Sequence, residues 1–258
     1  MNVIKLMGGL GNQIFQYAFG QVQAANGIKV TYDSSWFSDK NHKDTPRPYL
    51  LDKFKLEIPI HSFIGNQLTI QEAGYDEALT NLRDCNFWGY WQYLRYYEGI
   101  LSHLQAELKV KDIYYTQKYK MLRKQAENSE IVAMHIRRGD YVTTKGFKVL
   151  SLSYYYHALH LVKGDLFIFS DDIQWCKEKF KEEFFSRKLT FVELPDYLSF
   201  DLMTRCSNFI ISNSTFSTLA AYLSTTQNKI VVGSKDVCIE SVQEREKKKY
   251  LPKDWILI

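Results

Sequence analysis

The stretch Ile131-Val132-Ala133-Met134-His135-Ile136, running into Arg137-Arg138-Gly139-Asp140-Tyr141, decides the fold. The first six residues are a mostly apolar run of strand length. Two arginines then leave the strand end, where guanidinium groups buried without partners are costly. The rhythm repeats downstream. Ser153 is placed to cap a helix ending near Gly164. Leu166 to Phe169 reads as a strand followed by Ser170-Asp171-Asp172, and Ile173 to Phe185 as a helix with a charged outer face. Leu189 to Val192, Phe209 to Ile211 and Ile230 to Val232 read as strands, with a helix over Ser199 to Cys206 and another through Tyr222. Strands alternating with helices of this length imply parallel pairing through right-handed crossovers. The polar loops all follow strand C-terminal ends, which form the ligand crevice of doubly wound sheets.

Upstream, the first thirty-three residues read as a β-α-β unit. Val3 to Met7 is a short strand, and Gly8-Gly9-Leu10-Gly11-Asn12 is a glycine turn. Gln13 to Ala25 carries Ile14, Phe15, Ala18, Phe19 and Val22 at helical spacing, with Gly27 where a helix-ending glycine belongs. Ile28 to Tyr32 is a second strand. Residues 34–60 are irregular, broken by Pro46, Pro48 and Pro59, and residues 66–126 read as mainly helical and aromatic. The expected boundary falls near Glu127–Glu130, giving an α/β chain of two domains, 1–128 and 129–258.

Composition narrows the function. The chain has 258 residues, 45% hydrophobic, 24% charged and 15% aromatic, which is globular and large enough for one or two cores. A formal charge of +4 suits phosphate-bearing ligands and is too small to mark a nucleic-acid binder. Cys85, Cys176, Cys206 and Cys238 lack zinc-site spacing, and scattered single thiols fit a reducing compartment. The N-terminus lacks the features of a signal peptide, and no run reaches the roughly 18 apolar residues of a membrane span. The basic run Arg245 to Lys249 reads as a solvated turn before a membrane contact.

Four segments carry candidate chemistry. At the end of the central strand, Arg137 and Arg138 offer planar forks that pair bidentately with phosphate, with Asp140 placed to hold one of them; a structural Arg–Asp pair is the equal alternative. The turn containing Gly9, Gly11 and Asn12 lets backbone approach a ligand at a helix N-terminus. It lacks the third glycine of the dinucleotide fingerprint, which excludes a Rossmann dehydrogenase. Asn213-Ser214-Thr215-Phe216-Ser217 places hydroxyls and N–H groups where phosphate binds, though helix capping needs only one of them. Asp171, Asp172 and Asp201 are carboxylates that could accept from a guanine edge or a ribose, with capping and dipole roles as the alternatives. His157 and His160 stand three apart with no third metal ligand in view, so a partly buried helix face is the favoured reading.

These blocks, with Gly89-Tyr90-Trp91-Gln92, resemble in order and over nearly the whole chain the bacterial α-1,2-fucosyltransferases of glycosyltransferase family 11. One departure is Thr218-Leu219, where the family usually has two tryptophans. The resemblance implies a GT-B architecture of two Rossmann-like domains facing across a cleft. It implies a GDP-β-L-fucose donor held by the C-terminal domain, inverting transfer to the 2-hydroxyl of a terminal galactose in a glycan or glycolipid precursor, and no metal. It gives Arg137 to the β-phosphate with Arg138 in support. It gives Asp201 to guanine, and Ser214, Thr215, Phe216 and Ser217 to the phosphates. His135, Asp171, Gly9 and Gly11 join the donor side, with Asn12 near the reacting oxygens. Tyr90, Trp91 and Gln92 fall on the acceptor side. The general base stays open among Asp140, Asp33, Asp39 and Glu98. Other linkages, an O-antigen acceptor or a lapsed nucleotide-sugar binder remain alternatives. The implied setting is cytoplasmic, with room for peripheral contact with the inner membrane or a lipid-linked acceptor.

Overall fold

The computed structural model describes residues 1–39, 45–235 and 251–258. These form two compact units, dividing between Lys109 and Val110.

The first unit opens with β1 (Asn2–Lys5), α1 (Leu10–Ala25) and β2 (Val30–Asp33). Helix α1 starts three residues ahead of the expected Gln13, so Gly11 and Asn12 lie in its first turn. It ends as the glycine predicted. Gly27 has φ +72°, its N–H reaches the Ala24 carbonyl at 2.9 Å, and the Ile28 N–H reaches Gln23 at 3.1 Å. This pairing satisfies the last carbonyls of the helix.

Two strands stand where the sequence suggested helix: β3 (Leu68–Gln71) and β4 (Cys85–Trp88). With them the sheet is fully parallel in the order β2-β1-β4-β3. Each is only four residues long; β4 pairs with β1, some 80 residues away, and β3 pairs with β4. The helical share of the segment is α2 (Leu101–Glu107) and single turns. Phe19 of α1 packs on Phe87 of β4, with ring centroids 5.6 Å apart, so one face of the sheet is closed by the helix. On the other face, Asp33 is in register with Lys5, and Trp88 with Gln71. Val3 and Ile4 lie beside Asn86 and Phe87, so Lys5 falls in line with Trp88. The last residues of all four strands therefore form one row across the C-terminal edge of the sheet.

The second unit begins before the expected boundary because α3 (Gln117–Asn128) belongs to it. Strand β5 (Ile131–Ile136) has the predicted limits and is buried throughout. Then come α4 (Leu152–Leu159), β6 (Asp165–Ser170), α5 (Ile173–Lys179), β7 (Leu189–Phe191), α6 (Asp196–Met203), β8 (Asn208–Ile210), α7 (Thr215–Leu223), β9 (Val231–Gly233) and a short β10 (Ile256–Leu257) that the sequence did not suggest. Ser151, rather than Ser153, caps α4, accepting from the Tyr154 N–H at 3.3 Å. Helix α5 is shorter than expected, and α6 starts at Asp196, directly after Pro195, instead of Ser199.

All strands of this sheet run parallel in the order β10-β9-β8-β5-β6-β7. Successive connections wind outward from β5 to one side through β6 and β7, then to the other through β8, β9 and β10. The order reverses between β5 and β8, where α/β folds of this kind bind ligands. Val132, Met134, Ile136, Leu166, Ile168 and Ile210 build the core between sheet and helices, each fully buried apolar side chain contributing roughly 1.5–3 kcal/mol.

No described helix is long and apolar enough to cross a membrane. Cys85, Cys176 and Cys206 are buried and unbridged. Cys238 and the basic run 245–249 lie outside the described residues.

Gly20 on α1 has no room for a side chain: a Cβ there would sit 2.3 Å from the Tyr32 hydroxyl oxygen. Tyr32 is buried and donates to the Tyr17 carbonyl at 2.9 Å. Gly20→Ala gains roughly 1 kcal/mol of helix propensity, yet the clash is expected to outweigh it for a net loss of about 1–2 kcal/mol. Thermal denaturation tests this, and an unchanged or raised Tm would contradict the packing described.

Candidate active site

Several of the candidate side chains lie near the two sheet reversals, one in each unit. In the second unit, Arg137 follows β5 directly. One terminal guanidinium nitrogen meets Asp140 on the following turn, and the other meets Asp171 Oδ2, after β6, at 2.9 Å. Each of those nitrogens carries two N–H groups, so a carboxylate on each leaves donors for a ligand. The Nε of Arg137 is buried with no hydrogen-bond partner among the described residues, and the guanidinium carbon lies 5.1 Å from the Tyr141 ring centroid.

Arg138 is committed differently. Its Nε pairs with Asp172 Oδ2 at 3.0 Å, and its guanidinium lies 4.0 Å from the Trp175 ring centroid. Its backbone N–H donates to Asp171 Oδ1 at 2.8 Å. Asp172 also caps α5 through the Trp175 N–H. Gly139 explains the glycine in the arginine block: a Cβ there would stand 2.3 Å from Asp171 Oδ2. A side chain at this position would push the Asp171 carboxylate from its place on Arg137.

Across the reversal, Ser212 follows β8, and its hydroxyl lies 2.8 Å from His135 Nδ1. Sequence reasoning did not single out Ser212; its position one residue before the Asn-Ser-Thr-Phe-Ser block was the available signal. His135 is buried, and burial first, then the Arg137 charge, pulls its pKa down to about 3. The imidazole is therefore neutral at physiological pH. Ser214 caps α7, accepting from the Phe216 N–H at 3.4 Å. Thr215 opens the helix. Phe216 packs between His135 and Phe200, at 5.4 and 5.5 Å. Ser217 is fully buried, and its hydroxyl donates inward to the Ser214 carbonyl at 3.3 Å. Leu219 is core, so the departure at Thr218-Leu219 is absorbed by packing.

Asp201 stands apart from this cluster. It is buried on α6, accepting from the Tyr119 hydroxyl and from Arg205 Nε at 2.9 Å and Nη2 at 3.2 Å. The Tyr119 contact ties α3 to α6, and Arg205, just past α6, holds both carboxylate oxygens. His157 and His160 are exposed, not the partly buried face expected.

In the first unit, Gly8 has φ +76°, and a Cβ there would lie 2.7 Å from Asn12 Nδ2. Gly9 precedes α1 with open space where a Cβ would be, and Gly11 is buried in the first helical turn. Asn12 Oδ1 accepts from Gln92 Nε2 at 2.9 Å. Gln16 spans the reversal between β1 and β4, accepting from the Met7 N–H at 2.9 Å and donating to the Gly89 carbonyl at 3.1 Å. The Tyr90 N–H donates to Glu72 at 2.7 Å. Trp91 belongs to the core: it is fully buried, stacked on Phe19 at 4.4 Å, with φ +55° turning it inward. Among the candidate bases, Asp33 is buried, which pushes its pKa up. Hydrogen bonds from Ser35 and the Lys5 ammonium outweigh this and hold it below the usual carboxylate value, which weakens it as a base. Glu98 is exposed.

The buried neutral imidazole has a measurable consequence. Unfolded, His135 takes a proton near 6.5; folded, only near 3. The unfolded chain binds the extra proton, so stability present above 6.5 is lost as pH falls toward 3, by about 2 kcal/mol at pH 5. His135→Gln is expected to lose less stability than wild type between pH 7 and pH 5 in denaturant titrations. Equal losses would contradict the burial assigned to His135.

The chain matches Glycosyl transferase family 11 along residues 1–258. It is 30% identical over 277 residues to the O-antigen biosynthesis glycosyltransferase WbnK of Escherichia coli, covering 88% of this chain and 91% of that one. It is 28% identical over 263 residues to an alpha-1,2-colitosyltransferase of Escherichia coli, covering 86% and 87%. Among solved structures, the NodZ alpha-1,6-fucosyltransferase soaked with GDP-fucose superposes with a TM-score of 0.56 at 12% identity, over 90% of this chain and 94% of that one. That likeness shows the GT-B fold. The protein, with two parallel α/β units and an arginine cluster at the sheet reversal, is a glycosyltransferase and belongs to Glycosyl transferase family 11.

Proposed function

We propose that the enzyme transfers L-fucose from GDP-β-L-fucose, with inversion, to the 2-hydroxyl of a terminal galactose in a glycan or glycolipid precursor. One observation carries the donor side: Arg137, held between Asp140 and Asp171, stands at the β5–β8 reversal where α7 begins. As the fucose–oxygen bond breaks, negative charge builds on the departing diphosphate. A fixed guanidinium and the N–H groups at the start of α7 are preorganised donors for such charge. Asp140 and Asp171 hold the fork, Arg138 braces the turn through Trp175, and neutral His135 lines the reversal with Thr215 and Phe216. Asn12, fixed by Gln92, positions the acceptor hydroxyl.

The names of the relatives support an O-antigen setting and a 1,2 linkage. They also favour a second reading, in which colitose is the sugar transferred. Incubation with each donor sugar as its GDP conjugate and a panel of galactosides, with linkage analysis of the product, decides between them.

Metal-free catalysis is part of this reading. The adjacent carboxylates at the reversal are already engaged, Asp171 by Arg137 and the Arg138 backbone, Asp172 by Arg138 and the cap of α5. Activity in EDTA is expected to equal that of the untreated enzyme. Loss on chelation, restored by manganese or magnesium, would sink this part of the proposal.

Arg137→Lys keeps the charge and loses the fork. Because the contact strengthens as charge develops, kcat is expected to fall by about 10²–10³, roughly 3–4 kcal/mol, with little change in KM. The measurement is single-turnover transfer at saturating donor on a variant of native-like Tm. A folded variant with near wild-type kcat removes Arg137 from the mechanism.

A further inference from the structure

The glycine-tyrosine-tryptophan-glutamine block puts its tryptophan inside the first unit, but another tryptophan three residues earlier points out. Trp88, the last residue of β4, is 46% exposed. It stands in the row Asp33, Lys5, Trp88 and Gln71, on the sheet face opposite α1, at the C-terminal ends of the strands where α/β sheets take ligands.

Its surroundings make it a held surface. Phe63 meets it edge-to-face, with centroids 6.3 Å apart and rings inclined 71°. The Lys5 ammonium lies 5.9 Å from the indole and 5.3 Å from the Phe63 ring. That ammonium is pinned in turn, to Asp33 Oδ2 at 3.0 Å and Ser35 Oγ at 2.6 Å. Asp33 also accepts from the Ser35 and Phe63 N–H groups, so the polar edge and the aromatic edge are one assembly. Lys5 and Asp33 cancel in charge, which gives no attraction for a phosphate. A flat aromatic face beside a neutralised polar rim suits an uncharged ring with one C–H face and a hydroxyl edge.

We propose that Trp88 is the platform on which the terminal sugar ring of the acceptor stacks, with the Lys5–Asp33–Ser35 cluster at its hydroxyl edge. This assignment rests on the transfer reading above and gives its acceptor side a residue. It replaces Trp91, whose indole is core.

The test compares wild type with Trp88→Ala and Trp88→Phe, both at a half-exposed position. Lactose is the acceptor probe, with GDP-fucose as donor. Trp88→Ala is expected to raise the KM for lactose by about ten- to thirty-fold, the cost of truncating an aromatic anchor. Trp88→Phe should fall between, and donor KM and the slow hydrolysis of donor in water should stay at wild-type values. An unchanged lactose KM in Trp88→Ala overturns the assignment, as does an equal change in donor KM and donor hydrolysis. If wild type transfers no fucose, the transfer reading fails on its own, and binding of methyl β-galactoside is read by saturation-transfer NMR instead. Signal present in wild type and lost in Trp88→Ala supports the platform; equal signals, present or absent, overturn it.

Discussion

The second unit depends on how a positive charge is kept at the end of a buried strand. Strand β5 runs through the core, and its next residue is Arg137. An unpaired guanidinium there would cost several kcal/mol, so its partners have to be built in. Asp140 comes from the turn that follows, Asp171 from the loop after the neighbouring strand. Gly139 is the concession that allows Asp171 in. The Arg-Arg-Gly-Asp run is thus one device: a fork, a brace stacked on Trp175, a gap and a clamp. The cluster counts two arginines against Asp140, Asp171 and Asp172, so it is not a general anion trap. On the proposed reading, donor geometry and the start of α7, rather than excess charge, select the ligand.

Legibility in the sequence followed burial. Strand β5 and the elements beside it could be read because a parallel strand covered on both faces is a near-continuous apolar run. Strands β3 and β4 could not. Leu68-Thr69-Ile70-Gln71 lies largely exposed at a sheet edge, and Cys85-Asn86-Phe87-Trp88 sits among aromatics that mimic a helical core. Their state is set by pairing: β4 docks on β1, some 80 residues away, and β3 on β4, contacts that no local window contains. The burial of Trp91, expected on the acceptor side, was no more legible. An inward turn at Trp91 with positive φ is a tertiary decision, against the local preference of a bulky residue.

The candidate site was legible as blocks and not as roles. That Arg137, Asp140 and Asp171 meet was half-visible from Asp140 at three residues' distance. The partner from β6 required the sheet order. Asp201 was legible as a carboxylate, but its contacts with Tyr119 and Arg205, from α3 and from just past α6, were not. Ser212 was passed over because a lone serine before a serine-rich block carries no signal of its own, until β8 is placed beside β5 and the hydroxyl reaches His135.

Both units bridge the point where strand order reverses, with different chemistry. In the first unit a buried amide, Gln16, bridges Met7 and Gly89, with Asn12 and Gln92 joined alongside. In the second, His135 and Ser212 bridge β5 and β8, and arginines occupy the rim. The first crevice is thus edged by neutral amides, a cancelled ion pair and an indole; the second by fixed guanidinium groups and a helix start. On the proposed reading that difference divides the labour. The charged leaving group needs the second unit, because only preorganised cationic donors gain as its charge develops. The uncharged sugar gains nothing from them, and an aromatic face with a polar edge serves it better.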